Sequence, residues 1–331
     1  MSTSATIDNM SVADSNESLL AIPLSSFRTS YLQCDIYIQR EKNGIPVLYR
    51  RRSHPLEEAD LERLHKRGIR TLYISKSNEE AFRRQIDEEV LQNESIPLDE
   101  RYRELLKINE AVFVQAFRGG KLDDLVRFSD KFACQLSELV CRHDLIVDEL
   151  FAIMEFDNGT YTHSVNVATY CLLLADRLGI TDTAELKYIA AGALLHDIGK
   201  RHVQLAVLNS PSPLTAEQRK HIQQHPTMGF RELALRKDQT WGQMMMTYEH
   251  HERVDGSGYP TGIKGNEIHP WARICSIADV FHALTSKRPY KAAMSTDEAL
   301  AVIKKQSGTS FDMEMVKCWN TTLKKIPCLM A

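Results

Sequence analysis

The run Tyr188-Ile189-Ala190-Ala191-Gly192-Ala193-Leu194-Leu195-His196-Asp197-Ile198-Gly199-Lys200 decides how this chain is read. It is an apolar helix whose end delivers a histidine and a charged carboxylate to the protein interior. An uncompensated buried carboxylate is strongly unfavourable, and a metal ion is one of the few partners that offsets it. Asp279 repeats the logic, sitting mid-helix among Ile274, Ile277, Ala278, Val280, Phe281 and Leu284.

Working outward, His163 precedes Val167, Tyr170 and Leu174 by four, seven and eleven positions, which places its imidazole on the inward face of a helix. His250-His251 closes another helix just before Glu252 and the turn-rich Asp255-Gly256-Ser257-Gly258. Taken singly, each has an ordinary reading: a core histidine held by a hydrogen bond, or a buried aspartate in an ion pair. Their co-occurrence in one helical region supplies nitrogen and carboxylate ligands enough for two ions. His54, His65, His143, His202, His221, His269 and His282 lack this context and read as surface or ordinary structural residues.

The surrounding pattern is helical. Apolar residues fall at helical spacing over Thr160–Leu178, Thr183–His196, Thr215–Leu235, Gln239–His251, Trp271–Thr285, Thr296–Lys305 and Asp312–Lys324. Upstream, Glu79–Val90, Asp99–Phe117 and Lys121–Arg142 read as further helices. Before them, Tyr31–Ile38, Ile45–Arg51 and Thr71–Ser75 read as strands, the first two joined at Glu41-Lys42-Asn43-Gly44, with a helix opened by Pro55 and stopped by Gly68. The fold class is therefore mainly α, an all-helical domain preceded by a small α+β module. The expected divisions are a disordered tail at 1–20, the α+β module at 21–95, a helical connector at 96–143 and the helical domain at 144–331.

Composition is globular, with 43% hydrophobic and 26% charged residues, and the net charge of −3 argues against attraction to duplex nucleic acid. The seven cysteines are scattered and form no CxxC pair, so neither a disulfide framework nor a thiolate zinc site is expected. No stretch approaches the roughly 18–20 apolar residues of a membrane span, and the polar, acidic start does not read as a secretory signal. A cytoplasmic protein is expected.

The segments Thr162-His163-Ser164-Val165-Asn166-Val167-Ala168, His196-Asp197-Ile198-Gly199-Lys200, Leu214-Thr215 with His225-Pro226 and Gly229, His250-His251-Glu252-Arg253-Val254-Asp255-Gly256-Ser257-Gly258-Tyr259-Pro260, and Ala278-Asp279-Val280-Phe281-His282-Ala283-Leu284-Thr285 with Arg288-Pro289-Tyr290-Lys291 resemble the HD-GYP domain family in order and spacing. The resemblance covers the chain from about Asp144 onward. It implies an HD-type phosphohydrolase fold and a metal-dependent phosphodiesterase acting on cyclic di-GMP, with pGpG as the main product. It also implies that His163, His196, Asp197, His225, His250, His251 and Asp279 are the metal ligands, with Asp197 bridging two divalent ions, iron or manganese. The position one turn before His163, where some members carry a third-metal glutamate, is Gly159 here, so two ions are expected.

By the same resemblance Lys200 contacts the scissile phosphate, Arg288 and Lys291 bind the other phosphate, and Arg253 lies near guanine or phosphate. The Gly258-Tyr259-Pro260 loop reads as architecture, and in the family it is linked to contacts with signalling proteins; a homodimer is also compatible. Gln204 and Leu205, Ser210-Pro211-Ser212 and Val254 depart from the family pattern, and these departures bear on substrate fit more than on metal binding. A receptor that binds without turnover, or a phosphohydrolase of another cyclic dinucleotide or a nucleotide monoester, are the competing readings.

Overall fold

Leu20 and Ile22 are buried while Leu19, Ala21 and Pro23 between them are partly exposed, the period-two pattern of a half-buried strand, β1 (Leu19–Pro23). The computed structural model describes residues 19–24, 27, 32–39, 44, 46–141, 160–208, 210, 213–287 and 292–323. β1 begins inside the stretch expected to be a tail, of which 1–18 lie outside the described residues. Its alternation is only five residues long, and the polar run before it conceals it from a compositional reading.

β1 pairs antiparallel with β4 (Thr71–Ser75), from Leu19 opposite Ser75 to Pro23 opposite Thr71. β2 (Ile36–Ile38) pairs with β3 (Val47–Arg50) and meets β4 at Tyr37 opposite Tyr73. The order β1-β4-β2-β3 puts β1 on an edge, where Pro23, lacking an N–H, is tolerated. The sheet thus has four strands where three were expected, and two are shorter than the apolar runs suggested. Helix α1 (Glu58–Lys66) starts with a capping box between Glu57 and Asp60, and the buried Asp60 carboxylate is paired with Arg50 and Arg63. Helix α2 (Glu79–Ile86) runs into a π-helical turn at Asp87–Leu91. Ile22, Ile36, Leu72, Ile74, Phe82 and Ile108 share one core.

The chain divides into two compact units, 1–112 and 113–331. The boundary falls within α3 (Leu98–Gly119), inside the stretch read as a connector at 96–143. In the second unit α4 (Leu122–Cys141), α5 (Thr160–Arg177) and α6 (Thr183–Leu195) pack together, followed by a 3-10 turn (Ile198–His202) and a four-residue helix, α7 (Leu205–Leu208). Then come α8 (Ala216–Ile222), α9 (His225–Ala234), α10 (Trp241–Glu249), α11 (Pro270–Thr285), α12 (Thr296–Lys305) and α13 (Met313–Leu323). The single helical stretch expected over Thr215–Leu235 is two helices. Pro226 has no N–H to continue a helix from α8 but suits the first turn of the next, so the chain restarts at His225.

Helix α6 lies at the centre, packed on α4, α5 and α10, and α11 lies against α5 and α10. Trp319 of α13 is fully buried, with Tyr170 of α5 and Phe281 of α11 edge-on to it at ring-centroid distances of 5.7 and 5.3 Å. Trp319→Ala is expected to lower stability by about 3–5 kcal/mol through the cavity it leaves. Urea denaturation of the purified variant checks this value. Among the described residues no helix is long and apolar enough to cross a membrane.

Candidate metal centre

Five helices carry the site to one place. Asp182 caps α6, whose apolar body ends at Leu195, so His196 and Asp197 arrive at the buried C-terminal end of the central helix. The turn that follows crosses α9 at Gly199. A Cβ there would lie 1.9 Å from the His225 carbonyl oxygen and 2.7 Å from the Gly229 nitrogen, so only glycine permits this approach. That crossing brings His225 to Asp197. His250 and His251 follow the end of α10, His163 lies in the first turn of α5, and Asp279 lies in the middle of α11.

All seven ligands expected from sequence converge. Asp197 Oδ1 is 3.1 Å from His225 Nε2 and 3.7 Å from His250 Nε2, while Oδ2 is 3.4 Å from both His163 Nε2 and His196 Nε2. His163 Nε2 also lies 3.4 Å from Asp279 Oδ1. The donor atoms fall into overlapping groups able to hold a metal ion: Asp197 with His225, His250 and His251; His163 with His196 and Asp197; and His196 with His250 and Asp279. Asp197 presents one oxygen to each side, the geometry of a bridging carboxylate.

Hydrogen bonds fix the ring nitrogens. His196 Nδ1 donates to the Ala193 carbonyl (2.6 Å), His225 Nδ1 to that of Ile222 (2.8 Å) and His250 Nδ1 to that of Met246 (3.0 Å). A neutral imidazole that gives its Nδ1 hydrogen away turns a bare Nε2 lone pair to the other side. Such Nε2 atoms meet at 3.3 Å between His225 and His250. Opposed lone pairs repel unless a cation lies between them. Among the described residues, the buried Asp197 Oδ1 receives no hydrogen bond. Imidazoles and carboxylates so arranged fit divalent metal.

Charge follows the same arrangement. Burial opposes ionisation of Asp197, but Lys200, His196 and His163 together hold its carboxyl well below the ordinary range, with Lys200 Nζ 2.5 Å from Oδ2. Asp279 is also buried, yet His163, His196 and His251 hold its carboxyl below the ordinary range. Burial likewise works against a charged His196, but Asp197 carries it above its usual value. Burial, with the cationic forms of its neighbours, pushes His250 down to about 4 and His251 down as well.

A histidine depressed from 6.5 in the unfolded chain contributes stability above 6.5, and that contribution is lost as pH falls through 4. The ion-free protein is therefore expected to lose up to ~3 kcal/mol from His250 between neutrality and pH 4, at 1.36 kcal/mol per pH unit. Urea denaturation at pH 7 and pH 4 measures it, and His250→Gln is expected to flatten the dependence.

Of the residues expected to bind substrate, Lys200 stands at the cluster. Arg253 pairs loosely with Asp255 at 3.8 Å. Arg288, Lys291 and Gly159 lie outside the described residues. Three residues that sequence left unassigned belong to the surroundings. His282, read as ordinary, is 1% exposed, with its Nδ1 2.9 Å from that of His163. Glu252 is a buried carboxylate that accepts from the Thr261 N–H and hydroxyl (2.6 Å each) and from the Gly262 N–H (3.0 Å). Tyr259 stacks on His251 at 4.7 Å, and burial with the nearby Asp197 and Asp279 charges raises its phenol above the usual value. All three stand in the quoted motif segments, where nothing local gave them a role. His202 and His269 are structural, the first paired with Glu232 and the second capping α11.

A family model of the HD domain matches residues 141–315, just over half of the chain. The chain belongs to the HD domain family, and its motifs are those of the HD-GYP group. The 3'3'-cGAMP-specific phosphodiesterase 3 of Vibrio cholerae is 38% identical over 169 residues, covering 51% of this chain and 36% of that protein. The cyclic di-GMP phosphodiesterase response regulator RpfG of Xanthomonas campestris is 35% identical over 189 residues, covering 56% and 50%. The cyclic di-GMP phosphodiesterase PA4108 of Pseudomonas aeruginosa is 33% identical over 213 residues, covering 63% and 51%. The chain thus spans about half the length, or less, of these curated relatives. Among solved structures, Bd1817, a HDG"Y"P protein from Bdellovibrio bacteriovorus, superposes with a TM-score of 0.66 at 21% identity, covering 93% of this chain and all of that one. That likeness is one of fold.

Proposed function

We propose that the chain is a metal-dependent phosphodiesterase that opens a cyclic dinucleotide, cyclic di-GMP in the first instance, to its linear form pGpG. The observation that carries this reading is that Asp197 turns one carboxylate oxygen toward His225 and the other toward His163 and His196, within one cluster of imidazoles. The curated relatives named as cyclic dinucleotide phosphodiesterases support the substrate class. His163, His196, Asp197, His225, His250, His251 and Asp279 would hold two ions, iron or manganese. When bound, such ions supply Lewis acidity toward a phosphodiester and lower the pKa of an attacking water.

The chain's own residues do the rest. Lys200, beside Asp197, offers an ammonium to the phosphoryl oxygen on which negative charge grows. Tyr259, protonated at neutral pH, walls the site with its ring on His251 and has a hydroxyl hydrogen to donate. Arg253, Arg288 and Lys291 are assigned to the guanine or the second phosphate.

A second reading takes 3'3'-cGAMP as the substrate, favoured by the relative of that name at 38% identity. The chain loaded with Mn(II) or Fe(II) and given cyclic di-GMP, 3'3'-cGAMP and a nucleotide monoester, with products separated by chromatography, decides between them. Accumulation of pGpG from cyclic di-GMP is expected. Faster turnover of 3'3'-cGAMP selects the second reading. Binding without any cleavage overturns the enzymatic account in favour of a receptor.

A further inference from the structure

Three of the inward imidazoles are oriented by main-chain carbonyls close by in sequence. Ala193, Ile222 and Met246 lie three or four residues before His196, His225 and His250, and their carbonyls accept the Nδ1 hydrogens. His163 breaks this pattern. Its Nδ1 instead faces a side chain 119 residues away in sequence, His282 Nδ1, at 2.9 Å. Two ring nitrogens at that distance share one hydrogen.

The buried Ser286 hydroxyl lies beside the His282 ring, 2.9 Å from Nε2 and 3.3 Å from Nδ1. The His282 tautomer with its hydrogen on Nε2 has a bare Nδ1 that can accept the hydrogen of His163 Nδ1. His163 Nε2 is then a lone pair aimed between Asp197 and Asp279, 3.4 Å from an oxygen of each.

We propose that His282 is the positioning residue of His163: it takes the role that a nearby main-chain carbonyl has for the other three rings, fixing the tautomer and ring plane of that ligand and of no other. Outer partners of this kind shape ligand basicity and direction in metal sites. The inference rests on reading the cluster as a two-ion centre. It assigns His282 to the side of that centre formed by His163, His196 and Asp197, and makes the side formed by Asp197, His225, His250 and His251 independent of it.

The test is Mn(II) titration, with free Mn(II) followed by electron paramagnetic resonance, on the wild-type chain, His282→Asn and His282→Gln. Asparagine presents an acceptor near the Nδ1 position, whereas glutamine, also polar and of similar bulk, reaches to the Nε2 position. Wild type and His282→Asn are expected to bind two ions with similar affinity, and His282→Gln to bind one of the two about 10- to 100-fold more weakly. In a His163→Ala background, adding His282→Gln is expected to change nothing further. The proposal is overturned if His282→Gln binds both ions as wild type does, if asparagine fails as badly as glutamine, or if His282→Gln weakens the ion that His163→Ala retains. A wild-type chain that takes up no Mn(II) overturns the two-ion reading beneath it.

Discussion

Asp197→Asn is expected to leave a folded protein that holds neither ion and turns over cyclic dinucleotide at less than about a thousandth of the wild-type rate, the loss anticipated when metal activation of water disappears. The substitution keeps the shape of the side chain and removes its charge. Both oxygens matter, because Oδ1 faces His225 and His250 while Oδ2 faces His163, His196 and Lys200. An amide offers one oxygen, so one side of the cluster meets N–H groups in place of a ligand. Stability should fall as well, since removing one partner of a buried ion pair leaves the charges of Lys200 and His196 uncompensated. Metal analysis, a product assay and thermal denaturation of the same preparation check the three parts. Retention of two ions with wild-type turnover would falsify the bridging role.

Gly199→Ala is expected to weaken the second unit and its metal binding together. The added methyl must displace the backbone of His225 or Gly229, neither of which can rotate away as a side chain would. Overpacking of this kind costs about 3 kcal/mol or more when the backbone has to give. For a unit of this size that corresponds to a Tm lower by about 6 °C or more. Because the displaced atom belongs to His225, metal affinity should fall with stability, and the two losses measured together separate this case from Trp319→Ala, which is expected to spare the ligands.

Much of the centre was legible from sequence because its chemistry sits on helix ends and faces that periodicity exposes. Apolar residues up to Leu195 said that His196 and Asp197 arrive buried, and the spacing of His163 with Val167, Tyr170 and Leu174 said which way the ring points. What periodicity cannot say is what stands opposite. His282 shares a helix with Asp279 and differs from an ordinary core histidine only by the ring it meets on another helix. Glu252 looks like a surface charge until the chain returns at Thr261 to surround it. The restart at His225 needed more weight on Pro226 than on the apolar rhythm that runs through it. β1 was lost for the opposite reason, a rhythm too short to stand out from the polar residues before it.

Glu252 leaves one more mark on behaviour. By gathering the N–H groups of Thr261 and Gly262 it ties the stretch that carries Tyr259 into a closed ring of chain, settled as soon as the protein has folded. A visiting molecule that comes to rest against Tyr259 meets a wall already in place. Its capture is free of the ordering entropy that a slack loop would impose, and its affinity reflects the contacts themselves.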